Sequence, residues 1–175
     1  KIDSDLPPDN FVRVVRADPE REGLLYAGTE GGLFVSFDDG DHWQSLNMNF
    51  PTVPITDLRV RQGTLIAATQ GRGFWALDEL TVIRQLDDAL SDKRVHVFAP
   101  KPTSLMRWGS RSSANEGANP PSGVVISYAI ADEVEGPLSI RITDAQGNLV
   151  RRYSSEADDF DRCVTGNMTP RLAYT

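Results

Sequence analysis

Along residues 11–86 the apolar positions fall in short runs, rich in β-branched and aromatic side chains and bounded by Gly, Pro, Asp or Asn. Runs of that length and make-up are strands rather than helices. They predict strands at about 11–16, 24–29, 32–36, 43–46, 55–61, 64–69, 73–77 and 82–86. Past residue 87 the texture changes. "VHVFAP" reads as one short strand, and Gly109 to Gly123 is dominated by Gly, Ser, Asn and Pro, as loops and linkers are. Three alternating runs follow, "VVISYAI", "LSIRIT" and "LVRRYSS", the last two joined by the hairpin turn "DAQGN".

The pattern repeats. "LYAGTEGGLFVSFDDG" from Leu25 lies over "LIAATQGRGFWALDEL" from Leu65 with a period of forty residues, pairing Thr29 with Thr69, Gly31 with Gly71, Phe34 with Phe74 and Asp38 with Asp78. A second alignment sets "SLNMNFPTVPITDLRV" from Ser45 over "KIDSDLPPDNFVRVVR" from Lys1, so Lys1 and Ile2 match the end of an outer strand. The offset there is forty-four, because the loop "ADPEREG" is longer than "RQG". Four strands per repeat is the blade of a β-propeller. The expected fold is therefore all-β, with about two four-stranded propeller blades over residues 1–90, a linker at 91–122, and a partial immunoglobulin-like or fibronectin-like sandwich over 123–175.

"SFDDGDHW", Ser36 to Trp43, falls between the third and fourth strands of the first repeat and fits S-x-D-x-G-x-x-W through Ser36, Asp38, Gly40 and Trp43. Physically this is a turn. Asp38 can accept backbone N–H bonds, Gly40 can take positive φ, Ser36 can bond locally, and Trp43 can cover the hairpin with an apolar face. "DDGDHW" lacks the alternate-ligand spacing of a calcium loop, and His42 is a lone turn histidine, so no metal is expected. In the second repeat Asp78 remains while the serine, glycine and tryptophan are gone.

The motif resembles the Asp-box, the bacterial neuraminidase repeat of sialidase-type, sortilin-type and xyloglucanase-like propellers. The wider run "LLYAGTEGGLFVSFDDGDHWQSL…PITDLRV…ATQGRGFWALDEL" is similar to the end of the propeller in large exported bacterial proteins labelled sortilin-like or glycosyl-hydrolase-like. The resemblance implies an extracytoplasmic location, periplasmic or secreted. It also implies ligand sites on the face opposite the box, at "TEGG", "TQGRG" and "NMNFPTVPITD". There Arg72, set between glycines, is the foremost candidate for a carboxylate or phosphate contact, with Asp57, Glu30 and Gln70 beside it. The structural alternative for Arg72 is an ion pair with Asp57 or Glu30.

Charge narrows the partners. In 175 residues, 18 Lys and Arg stand against 25 Asp and Glu, a net charge of −7, which argues against a nucleic-acid surface. No apolar run approaches the length of a membrane span, and one cysteine, Cys163, allows no internal disulfide. Neither the arginine cluster with a tyrosine–carboxylate pair that a sialidase needs nor the paired carboxylates of a common glycosidase can be assembled; Tyr26 is placed in a strand beside Asp38. No cofactor is indicated. Two functions are expected: a non-catalytic binding or scaffold part of an exported propeller protein, with a carbohydrate or peptide ligand, or the C-terminal part of a glycoside hydrolase or sialidase whose catalytic residues lie on other blades. Two blades cannot close a ring, so the remainder of the propeller or a self-associated copy is expected against the open faces.

Overall fold

The computed structural model describes residues 5–86, 93–103, 123–131 and 136–155. Among the described residues the structure is all-β in class, with several small antiparallel sheets and one short helix, and the chain divides into two compact units, residues 1–131 and 132–175. Among the described residues no helix is long and apolar enough to cross a membrane. Lys1, Ile2, Cys163 and nearly all of the Gly109 to Gly123 stretch lie outside the described residues.

The first sheet is a meander of β1 (Val12–Ala17), β2 (Leu25–Thr29), β3 (Gly32–Ser36) and β4 (Gln44–Ser45), each paired with the next. Alternation along β2 and β3 sends Tyr26, Leu33 and Val35 to one face, and Ala27 and Phe34 to the other. Trp43 closes over Ala27 and Phe34, so β3 is buried along its whole length.

The second sheet has three strands, β5 (Ile55–Arg61), β6 (Thr64–Thr69) and β7 (Phe74–Leu77). The fourth strand expected at 82–86 is instead a helix, α1 (Thr81–Gln85). Tertiary contacts override the strand preference of Val82 and Ile83. Leu80 is fully buried and gives its N–H to the Gly63 carbonyl at 2.9 Å, which turns the chain beneath the β5–β6 hairpin. Arg84 N–H then closes a helical turn on the Leu80 carbonyl at 2.9 Å, and Ile83 packs on the core.

The two sheets share that core. Tyr26, Leu33 and Val35 of the first meet Ile55, Leu58, Leu65 and Ala67 of the second. Gly28 permits the approach: a Cβ there would lie 2.6 Å from Ile55 Cγ2 and 2.8 Å from Val14 Cγ1.

The two equivalent hairpins differ by one residue. In the first, Thr29 pairs with Gly32 and Ala27 with Phe34. In the second, Thr69 N–H bonds the Gly73 carbonyl at 3.0 Å, and Ala67 pairs with Trp75. The expected match of Phe34 with Phe74 is thus corrected. Trp75 holds the position of Phe34, and Phe74 turns to the opposite face, as any one-residue slip requires.

Beyond α1, β8 (Val95–Val97) pairs with β9 (Tyr128–Ile130). Of the three runs expected after residue 123, only the last two pair with each other, as β10 (Ser139–Thr143) and β11 (Leu149–Ser154) in the second unit. Their turn is held by Asp144, whose carboxylate accepts the N–H groups of Gln146 and Asn148 at 2.9 and 2.8 Å.

Candidate functional site

The Ser36–Trp43 turn joins β3 to β4 and is closed by its own side chains. Ser36 Oγ donates to Asp38 Oδ1 at 2.8 Å and accepts the Gly40 N–H at 2.9 Å. Asp38 Oδ1 also accepts the His42 N–H at 2.9 Å, and Asp38 Oδ2 lies 2.6 Å from His42 Nδ1. The backbone and side-chain bonds from His42, with the Ser36 hydroxyl, hold the Asp38 carboxyl down at about 2. The same carboxylate pushes His42 above the ordinary imidazole value of 6.5. Asp38 spends its acceptors inside the turn. Among the described residues no group of three or more His, Cys, Asp or Glu side chains could hold a metal ion.

At the other end of the two sheets lie the β2–β3 turn, the β6–β7 turn and the connection from β4 to β5. The connection ties both turns together. Asn47 Oδ1 accepts the Leu33 N–H at 2.8 Å, the Phe50 and Trp75 rings meet edge-on at 5.1 Å, and the Pro54 carbonyl accepts the Gln70 N–H at 2.9 Å. Each turn is pinned by its threonine. Thr29 Oγ1 donates to the Gly32 carbonyl at 3.0 Å, and Thr69 Oγ1 to the Gly73 carbonyl at 2.7 Å.

The four candidate residues of this end are not brought together as one cluster. Arg13 donates through Nε to Glu30 Oε1 at 2.5 Å, and Arg16 Nη2 reaches Asp57 Oδ1 at 2.6 Å. Neither carboxylate pairs with Arg72, so the alternative of an ion pair from Arg72 to Asp57 or Glu30 is replaced by pairs from Arg13 and Arg16. The reason is reach: those arginines stand on β1, and Arg16 also donates to the Leu58 carbonyl at 3.0 Å.

Arg72 is held by its backbone and open at its head. Its N–H bonds Thr69 Oγ1 at 3.1 Å, and its carbonyl accepts the Trp75 indole N–H at 3.1 Å. The flanking Gly71 and Gly73 take φ of +89° and +71°, which only glycine adopts without strain, and open space surrounds both. Among the described residues the exposed Arg72 guanidinium makes no ion pair or hydrogen bond. The Gln70 side chain is likewise exposed.

A buried cluster escaped the sequence reading. Asp18 accepts the N–H groups of Glu20 and Arg21 at 2.8 and 3.1 Å, a local turn legible in "ADPER". It also accepts the Tyr26 hydroxyl at 3.2 Å and Arg84 Nε at 3.0 Å. Arg84 lies sixty-six positions away, with no local signal to announce it. Tyr26 therefore faces Asp18, not Asp38. Burial, then Asp18, pushes its phenol well above the ordinary range, so it stays protonated as a donor. With Asp18 and Tyr26 buried, no substrate reaches this trio; it clasps α1 to the first sheet.

Among the described residues a small cavity of about 50 Å³ lies beside Leu46, Phe50, Trp75 and Leu77, and another of about 40 Å³ beside Glu79, Phe98 and Lys101. Both fall far short of the several hundred Å³ of a small-molecule cleft. Compared with family models, with curated proteins and with solved structures, the chain finds no match in any of the three.

Proposed function

We propose that the chain is a non-catalytic part of an exported Asp-box β-propeller protein, working outside the cytoplasm in binding or scaffolding. The two sheets are its last blades and the β10–β11 hairpin opens an immunoglobulin-like sandwich. The loop end that carries Arg72 takes a carboxylate-bearing ligand. One observation supports this reading above others: Asp57 and Glu30 are neutralised by Arg16 and Arg13, while Arg72 sits on a pinned backbone with its guanidinium free. A planar fork held that way suits bidentate binding of a carboxylate.

The test is equilibrium binding of the 175-residue chain to matched acidic and neutral ligands, sialylated and uronate oligosaccharides against neutral ones, with Arg72→Gln in parallel. Preference for the acidic members, lost in Arg72→Gln by about tenfold, is expected from a charge-assisted fork. Equal binding by both proteins sinks the reading. Aryl-glycoside and sialoside substrates should not turn over. Turnover abolished by replacing a carboxylate of this chain would make it a hydrolase instead.

A further inference from the structure

The first sheet carries β4 on the outer edge of β3, while the equivalent edge of β7 has no strand partner among the described residues. The segment that should have supplied it became α1. The Thr69–Gly73 bond fixes which groups are left over. Hydrogen-bonded pairs alternate along an antiparallel ladder, so Trp75 and Leu77 bond toward β6, and the amides and carbonyls of Phe74 and Ala76 point outward. Natural edges are guarded by lysine, proline or a bulge. β7, "FWAL", has none of these and pairs in regular register. The apolar cavity of about 50 Å³ opens beside Trp75, Ala76 and Leu77, bounded by Leu46 and Phe50. β7 begins immediately after Arg72 and Gly73.

From this edge we infer that β7 accepts an extended segment of a partner protein as a fourth strand, apolar in its middle and acidic at its C-terminal end. The direction follows from β4, which runs antiparallel to β3. A strand laid the same way on β7 reaches Arg72 with its C-terminal end. The free guanidinium meets a carboxylate there, and an aliphatic side chain of the segment fills the cavity. Main-chain bonds supply affinity, while the pocket and the charge supply selectivity. This inference rests on the carboxylate-binding role given to Arg72 above.

The probe is a labelled peptide, acetyl-TVTLTVE-amide, titrated into the 175-residue chain by fluorescence anisotropy. Saturable binding is expected, at least about tenfold weaker for the peptide ending in glutamine and for Arg72→Gln. Ala76→Pro removes only an outward amide, a change that edge strands tolerate, and should abolish binding. Should that variant melt early, N-methylating the peptide amides that face β7 asks the same question with the protein unchanged. Binding indifferent to both Ala76→Pro and N-methylation overturns strand addition, even where acidic oligosaccharides still need Arg72. Binding that needs the free edge but ignores Arg72→Gln and the glutamate overturns the acidic end, while the oligosaccharide titration decides the role given to Arg72. No binding by the unaltered chain overturns the inference outright.

Discussion

Phe34 in β3 is 8% exposed and Phe74, forty positions on in β7, is 82% exposed. The repeat sets one phenylalanine over the other, so the identity of the residue did not decide the outcome. Two local differences did. The β2–β3 turn holds Glu30 and Gly31 between Thr29 and Gly32, whereas the β6–β7 turn holds Gln70, Gly71 and Arg72 between Thr69 and Gly73. That extra residue slips the register of β7 by one position and exchanges its faces. The first repeat also retains Ser36, Gly40 and Trp43, which bring the chain back as β4, while the second retains only Asp78, which accepts the Thr64 hydroxyl at 3.2 Å. A closed sheet and an open one come from one pattern, and the open one carries the free arginine.

The contrast can be broken from either side. The largest effects are expected where each sheet has its separate lock. Trp43→Ala removes the lid over Ala27 and Phe34 and should destabilise the chain by about 3–5 kcal/mol, as large buried aromatic truncations do. Arg84→Met strands the buried Asp18 carboxylate and should cost about 3–5 kcal/mol, read by denaturant melts, with α1 released from the first sheet. If Arg84→Met melts like the unaltered chain, α1 is not held by that clasp.

The next test sharpens the register itself. Phe34→Ala should cost about 3 kcal/mol, whereas Phe74→Ala should change stability by no more than about 0.5 kcal/mol. Equal losses would mean that the two phenylalanines occupy equivalent places and that β7 is not slipped.

The smallest effect concerns the turn that only the first sheet keeps. His42 is raised by its bond to the Asp38 carboxylate, so its contribution is complete below pH 6.5 and fades as pH rises through its higher folded value. Asp38 is lowered to about 2, so its contribution is present above its ordinary 3.8 and is lost as pH falls toward 2. Both groups are exposed, so the stability change is small and the clearer reading is by NMR titration. His42 should titrate above 6.5, and Asp38→Asn should return it toward that value. A His42 that already titrates at 6.5 in the unaltered chain would mean the pair is not formed in solution.

Much of this was legible in the chain and some could not be. β1 to β7 follow from short β-branched runs between turn residues, and Thr29 and Thr69, matched by the repeat, do the same work at their turns. The slip in β7 was hidden because "TEGG" and "TQGRG" align equally well with Phe34 over Phe74; only the ladder shows where the extra residue sits. α1 was hidden because Val82 and Ile83 favour strands in isolation, and the buried Leu80 and the Asp18–Arg84 bond that bend the segment come from distant parts of the chain. Arg72 was found by its setting between glycines. Its freedom was not, since that depends on Arg13 and Arg16 having already taken Glu30 and Asp57.

That freedom is the claim on which the functional account depends, and the Arg72 side-chain Nε–Hε resonance reports it directly. In the unaltered chain the signal should be broadened by exchange with water and should sharpen and move downfield as an acidic ligand is added, while the Arg13 and Arg16 signals stay fixed by their partners. An Arg72 signal that is already sharp and protected without ligand, or that ignores every carboxylate offered, would contradict the account.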